Sequence, residues 1–185
     1  MKRVFIIHGW GGHPEEGWFP WLKKELETNS FQVVVPQLPD TDSPRIEKWV
    51  PTLATVVGVP NEDLYFVGHS MGCQTILRYL ETIDTKVGGA VFVAGWFNLE
   101  NLEAEGDDAV EIAKPWIETP LDLAKIKKVL PKSTLIISDN DPYGAFAENK
   151  AKFAELGSKI VVIPSAGHFT EEDGFTELPE VLAEF

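Results

Sequence analysis

Apolar residues along this chain follow two alternating rhythms. Short, largely apolar runs occur at Val4–Ile7, Phe31–Val35, Leu64–Val67, Ala90–Ala94, Thr134–Ser138 and Lys159–Ile163. Runs of this length are the mark of strands, and Val4–Ile7 has no polar alternation, as expected of a strand covered on both faces. Between the runs, apolar residues recur at three- and four-residue steps, which places them on one side of a helix. The first such stripe is Trp18, Trp21, Leu22 and Leu26; the second is Ile46, Trp49, Val50, Leu53, Val56 and Val57; the third is Cys73, Ile76, Leu77, Leu80 and Ile83. Further helices are predicted over Leu121–Leu130, over Gly144–Leu156, and around Leu178, Val181, Leu182 and Phe185. Pro51 falls inside the second stripe and predicts a kink or a division there.

Strand and helix alternate without a repeat or a long linker. That order predicts one α/β domain over residues 1–185: a six-stranded, mostly parallel sheet with helices on both faces and right-handed crossovers. Residues 95–118 interrupt the rhythm. They carry Trp96, Phe97 and Trp116, no strong period, and seven acids against one lysine, nearly half of the net charge of −13. Two readings stand side by side: a small cap with its aromatics turned inward, or a solvated acidic connection.

Composition narrows the classes. The hydrophobic share of 44% and charged share of 24% are those of an ordinary globular chain. An acidic surface, with pI near 4.7, repels phosphate backbones and anionic bilayers, so neither nucleic acid nor membrane is expected as a partner. No stretch approaches the roughly 18 apolar residues of a membrane span. The basic start at Met1-Lys2-Arg3 leads into an apolar run too short for a secretory signal. With a single cysteine, Cys73, no internal disulfide can form, and a cytoplasmic protein is expected. Cys73 itself reads as a buried apolar filler rather than a second nucleophile.

In a parallel sheet, ligands gather at the carboxyl ends of the strands. His8–Trp10, Ser70, Gly95–Phe97, Asp141 and His168 all lie just after predicted strands. Gly68-His69-Ser70-Met71-Gly72 reads Gly-x-Ser-x-Gly between a strand and a helix. A serine at so sharp a turn is strained, and small residues two positions away on each side make room for it. A serine hydroxyl needs a base within hydrogen-bond reach. His168 is the natural base, since it follows the last strand and its ordinary pKa lies near neutrality. A carboxylate must then fix its tautomer. Asp139 and Asp141 both follow the fifth strand; Asp141 is preferred because Pro142 stiffens the loop behind it. Acyl transfer also requires oxyanion donors. The backbone N–H groups of Met71 and Trp10 are the candidates, with Gly9, Gly11 and Gly12 allowing close approach. Four scattered histidines and one cysteine show no metal-ligand spacing, no dinucleotide or phosphate-loop fingerprint is present, and no cofactor is expected.

His8-Gly9-Trp10-Gly11-Gly12, Gly68–Gly72, Ser138-Asp139-Asn140-Asp141-Pro142-Tyr143 and Gly167-His168-Phe169 resemble the landmarks of the α/β-hydrolase superfamily, in the chain order Ser…Asp…His. The short chain and the Asp-Pro-Tyr box resemble the compact serine hydrolases related to retinoblastoma-binding protein nine. The resemblance implies an α/β-hydrolase fold, a Ser70, Asp141, His168 triad and hydrolysis of small esters, amides or peptides. No Leu-x-Cys-x-Glu sequence is present, so retinoblastoma-protein binding is not implied. Trp10, Trp96, Phe97, Trp116 and Tyr143 are the expected acyl pocket. The partner expected is a small acyl substrate, with the protein a monomer or small homo-oligomer. An acyltransferase or haloperoxidase using the same triad, and a non-catalytic binding module on the same fold, are the alternatives.

Overall fold

The computed structural model describes the backbone of residues 1–185 and the side chains of all but residues 104, 105 and 107. Six strands form one sheet among the described residues: β1 (Arg3–Ile7), β2 (Gln32–Val34), β3 (Leu64–His69), β4 (Gly89–Val93), β5 (Ser133–Ile137) and β6 (Lys159–Val162), in the order β2-β1-β3-β4-β5-β6. Every pairing is parallel, so the sheet is wholly rather than mostly parallel. Parallel neighbours require crossovers, and the helical stripes supply them. They are α1 (Phe19–Thr28), α2 (Ile46–Val57), α3 (Met71–Glu81), α4 (Asp107–Glu118), α5 (Leu123–Val129), α6 (Phe146–Leu156) and α7 (Pro179–Leu182).

The pleat divides the core in two. On β1, Phe5 and Ile7 join one apolar cluster while Val4 and Ile6 join the other. The first cluster takes the stripes of α2, α3, α5 and α6; the second takes those of α1 and α7. Helices therefore cover both faces, which is why the central strands read as unbroken apolar runs. Burying each large side chain, such as Leu53 or Phe66, contributes about 1.5–3 kcal/mol. α3 is buried from Met71 to Leu80, because it lies between the sheet and its neighbouring helices.

Two expectations shift. Pro51 sits within α2 without dividing it, since its ring is on the exposed side while Trp49, Val50, Leu53 and Val57 face the core. Residues 95–118 do contain a period. A 3₁₀ turn at Leu102–Glu105 precedes α4, whose buried positions are Ala109, Ala113 and Trp116. Two of these three are alanines, so the stripe carried little hydrophobic signal. No helix among the described residues is long and apolar enough to cross a membrane.

Candidate active site

Parallel strands end on the same edge, so the loops after β1, β3, β4, β5 and β6 converge. Ser70 occupies the junction of β3 and α3 with φ 51° and ψ −118°. For a residue with a Cβ, that conformation costs on the order of 1–3 kcal/mol. The surroundings hold it. Ser70 donates its N–H to the Val93 carbonyl at 3.0 Å, and its own carbonyl accepts from Cys73 at 2.9 Å. The flanking glycines are required sterically. A Cβ on Gly72 would stand 2.1 Å from the Ile7 carbonyl oxygen, and one on Gly68 would stand 2.9 Å from the Cys73 nitrogen. Close packing of α3 onto β1 and β3 thus brings the positive end of that helix up to Ser70. The β1 loop passes directly over the serine: a Cβ on Gly9 would lie 3.2 Å from that of Ser70.

His168 is nearly buried. Its Nδ1 lies 2.8 Å from Oδ2 of Asp141, whose side chain is 4% exposed. A carboxylate only accepts, so Nδ1 carries the hydrogen and Nε2 keeps a free lone pair. The other oxygen of Asp141 accepts the Tyr143 N–H at 3.0 Å, and the Tyr143 ring meets the imidazole edge-on at 5.0 Å. Asp139 does not reach His168. It accepts the Ser165 N–H at 2.8 Å.

That contact belongs to a wider register. Ser138 Oγ accepts the Ala166 N–H at 2.9 Å and Asn140 Oδ1 accepts the Gly167 N–H at 2.8 Å. Ser138 also donates its hydroxyl to Asn140 Oδ1 at 2.7 Å. Four consecutive side chains, 138 to 141, therefore engage four consecutive residues, 165 to 168. Beyond the loop, Asp173 Oδ2 accepts the His168 N–H at 2.9 Å. Apart from the pairing of Asp141 with His168, sequence reasoning missed this network. Only the Thr170-x-x-Asp173 spacing, which suits side-chain to backbone bonding, offered a local sign of part of it.

Two other histidines, His69 and His8, are buried and structural. His69 sends Nε2 to the His168 carbonyl at 2.8 Å. Burial, reinforced by the neighbouring His168, pushes its pKa down to about 3, so it is neutral. His8 accepts the Leu38 N–H on Nε2 at 3.0 Å and donates from Nδ1 to Gly9. Burial lowers its pKa also. His8 thus ties the loop after β1 to the loop after β2. Cys73 is fully buried with Sγ 3.4 Å from the Val93 carbonyl, and burial pushes its thiol pKa far up, which makes it inert at neutral pH. Among the described residues, no group of three or more His, Cys, Asp or Glu is arranged to hold a metal ion.

A cavity of about 660 Å³ lies at this edge, bordered by Ser70, His168, Trp10, Met71, Trp96 and Tyr143. Leu99, Leu102, Ala109 and Ile112 add an apolar wall from the segment 95–118. Among the described residues, five with carboxylates, Glu16, Asp42, Asp108, Glu171 and Glu172, also border it, and no lysine or arginine does. The N–H groups of Trp10 and Met71 have no hydrogen-bond acceptor among the described residues. Phe97 and Trp116, expected in the pocket, are not among the residues that border it. Phe97 packs on Phe153 with ring centres 4.9 Å apart. Trp116 is buried beneath α4, where its indole donates to the Pro44 carbonyl at 3.0 Å and its ring meets Trp49 and Arg78.

A parallel sheet flanked by helices on both faces, with a strained serine at the β3–α3 junction and a histidine–carboxylate pair on the same edge, has the architecture of an α/β hydrolase. The crystal structure of the ydeN gene product of Bacillus subtilis superposes with a TM-score of 0.89 at 30% identity, covering 100% of this chain and 98% of that one. In sequence, YdeN of B. subtilis (strain 168) is 31% identical over 182 residues, 97% of this chain and 92% of YdeN. The serine hydrolase RBBP9 of Rattus norvegicus is 27% identical over 183 residues, 97% of this chain and 93% of RBBP9. Residues 4–185 match the family described as serine hydrolase, and the chain belongs to that family.

Proposed function

We propose that this serine hydrolase cleaves small esters, amides or peptides through an acyl-enzyme on Ser70. The observation that carries the reading is the 2.8 Å contact of His168 Nδ1 with Asp141, which leaves Nε2 free on a cavity that Ser70 also borders. In the proposed reaction, Ser70 Oγ attacks the acyl carbonyl as its proton passes to His168 Nε2. Asp141 keeps the tautomer fixed and stabilises the imidazolium. The carbonyl electron pair becomes an oxyanion that takes the N–H groups of Trp10 and Met71. Collapse restores the carbonyl, breaks the bond to the leaving group and hands it the proton. Water then repeats the sequence on the acyl-enzyme, releasing the acid and freeing Ser70.

The turn at Ser70 is, on this reading, a nucleophile elbow. Trp10, Trp96 and Tyr143 contact the acyl substrate, and residues 95–118 form a small cap on a single domain. The substrate is a small molecule, neutral or cationic rather than anionic, and neither nucleic acid nor membrane is a partner. The buried, unpaired thiol suits a cytoplasmic protein. A fluorophosphonate probe tests the assignment. The folded protein labels at Ser70 and hydrolyses p-nitrophenyl esters, and Ser70→Ala does neither. A folded protein that never labels at Ser70 argues for a binding module on the same fold.

A further inference from the structure

His168 is held by more than its imidazole. Its N–H points to Asp173 and its carbonyl to His69. Asp173 Oδ2 is a crowded acceptor, taking the Thr170 N–H at 3.1 Å and the Thr170 hydroxyl at 2.8 Å as well. Gly167, at φ 59°, exists to admit this carboxylate: a Cβ there would stand 2.2 Å from Asp173 Oδ1. A larger residue at 167 would displace the Asp173 carboxylate from its place beside the loop.

We propose that Asp173 is a positioning residue for His168, a second carboxylate that fixes the backbone of the base and adds negative charge to its surroundings. The proposal rests on reading His168 as the base. Burial alone would raise the Asp173 pKa, but the bonds from Thr170 and His168, with the imidazole charge, outweigh it and hold it below the usual carboxylate range. Asp173 is therefore ionised at neutral pH. Asp141 from the loop after β5, Tyr143 beside it and neutral His69 from β3 contact His168, and Glu16, Asp42, Asp108, Glu171 and Glu172 border the same cavity. Asp141 fixes the ring through Nδ1. Asp173 is the carboxylate that fixes the peptide carrying the ring.

The division of labour predicts distinct consequences. Asp173→Asn keeps an acceptor oxygen for all three donors but removes the charge. Loss of a negative charge disfavours imidazolium. Because Asp173 is solvent-exposed, the effect is screened and modest, a few tenths of a pH unit at low salt.

The test uses the full-length protein. The imidazole of His168 is titrated by NMR in Ser70→Ala and in Ser70→Ala/Asp173→Asn, which requires no turnover. Separately, kcat and KM for p-nitrophenyl acetate are measured against pH in the parent, Asp173→Asn, Asp173→Ala and Asp173→Glu. The expected result is a lower midpoint for His168 in the Asn variant with kcat within about twofold of the parent, and, in the Ala variant, which has no acceptor for the His168 N–H, a kcat reduced about three- to tenfold at unchanged KM. The lower midpoint recovers in the Glu variant, and the difference shrinks as salt is raised. An Asp173→Asn protein whose His168 titrates as in the parent, or a folded Asp173→Ala protein whose kcat stands as in the parent, overturns the proposal. A parent that neither labels nor hydrolyses overturns the reading of Ser70 instead, and the NMR titration still reports on Asp173.

Discussion

Nε2 of His69 donates to the carbonyl oxygen of His168 at 2.8 Å, so the residue preceding Ser70 steadies the backbone of the histidine assigned as its base. The two rings lie 5.1 Å apart. A charge on both at once would be repulsive, and burial removes that conflict by keeping His69 neutral.

This neutrality makes stability depend on pH. An unfolded histidine takes a proton near 6.5, whereas His69 in the folded state does so only near 3. Above pH 6.5 both states are neutral and the difference vanishes. Between 6.5 and about 3 the unfolded state binds the extra proton, so stability falls as pH falls. By pH 5 the loss from this one group is about 2 kcal/mol. Glutamine keeps a donor for the His168 carbonyl and cannot charge. Urea unfolding of His69→Gln from pH 7 to pH 5 is expected to show a flatter slope than the parent, and parallel slopes would refute the linkage.

The two loop aspartates separate cleanly. Asp141→Asn has one oxygen for two donors: if it keeps the Tyr143 N–H, its NH2 faces Nδ1 and turns His168 to the wrong tautomer, which is expected to lower kcat by about 10³- to 10⁴-fold. Asp139→Asn keeps an oxygen for the Ser165 N–H and is expected to cost less than about tenfold. Steady-state kinetics on the two purified variants checks the ranking, and equal losses would reassign the carboxylate.

Gly72→Ala tests the packing beneath Ser70. Its Cβ would fall 2.1 Å from the Ile7 carbonyl oxygen, and β1 is an interior strand paired with β2 and β3, which hold it in place. Overpacking of this severity is expected to cost about 3 kcal/mol or more. Thermal melts report it as a large drop in Tm or as insoluble protein. By contrast, alanine at Gly106 meets no described atom within 4 Å, and the positive φ of 108° is what opposes it there.

Charge is expected to select among substrates. Among the described residues, the cavity is bordered by five with carboxylates and by no lysine or arginine, and the chain carries a net −13. Cationic esters are expected to show higher kcat/KM than isosteric anionic ones, with the gap closing as salt rises from 10 mM to 1 M because screening shortens from about 30 Å to 3 Å. A preference for anionic esters, or no salt dependence, would contradict the electrostatic account.

The strands and most helices were legible because their burial is periodic. Ser70, Asp141 and His168 stood out because a strained turn and a stiff loop demand glycine and proline at fixed offsets. α4 was hidden by Ala109 and Ala113, which bury as well as leucine in a tight space but weigh little in a hydrophobic count. The bonds from Ser138, Asp139 and Asn140 to residues 165–167 join segments more than 25 positions apart through backbone N–H groups. Such donors are present at nearly every residue, so nothing in the letters marks them. Phe97 and Trp116 show the limit of aromatic content as a guide. The letters name the ring, but the Pro44 carbonyl and the Phe153 face decide where each one lies.

The solitary thiol offers a practical handle. Cys73 is sealed beneath the β4 backbone, so the intact protein should ignore iodoacetamide and other alkylating reagents. Each modification event therefore records an opening of the centre of the molecule. Followed by mass spectrometry, the rate of that reaction becomes a clock for conformational breathing, with no engineered label and no disturbance to Ser70.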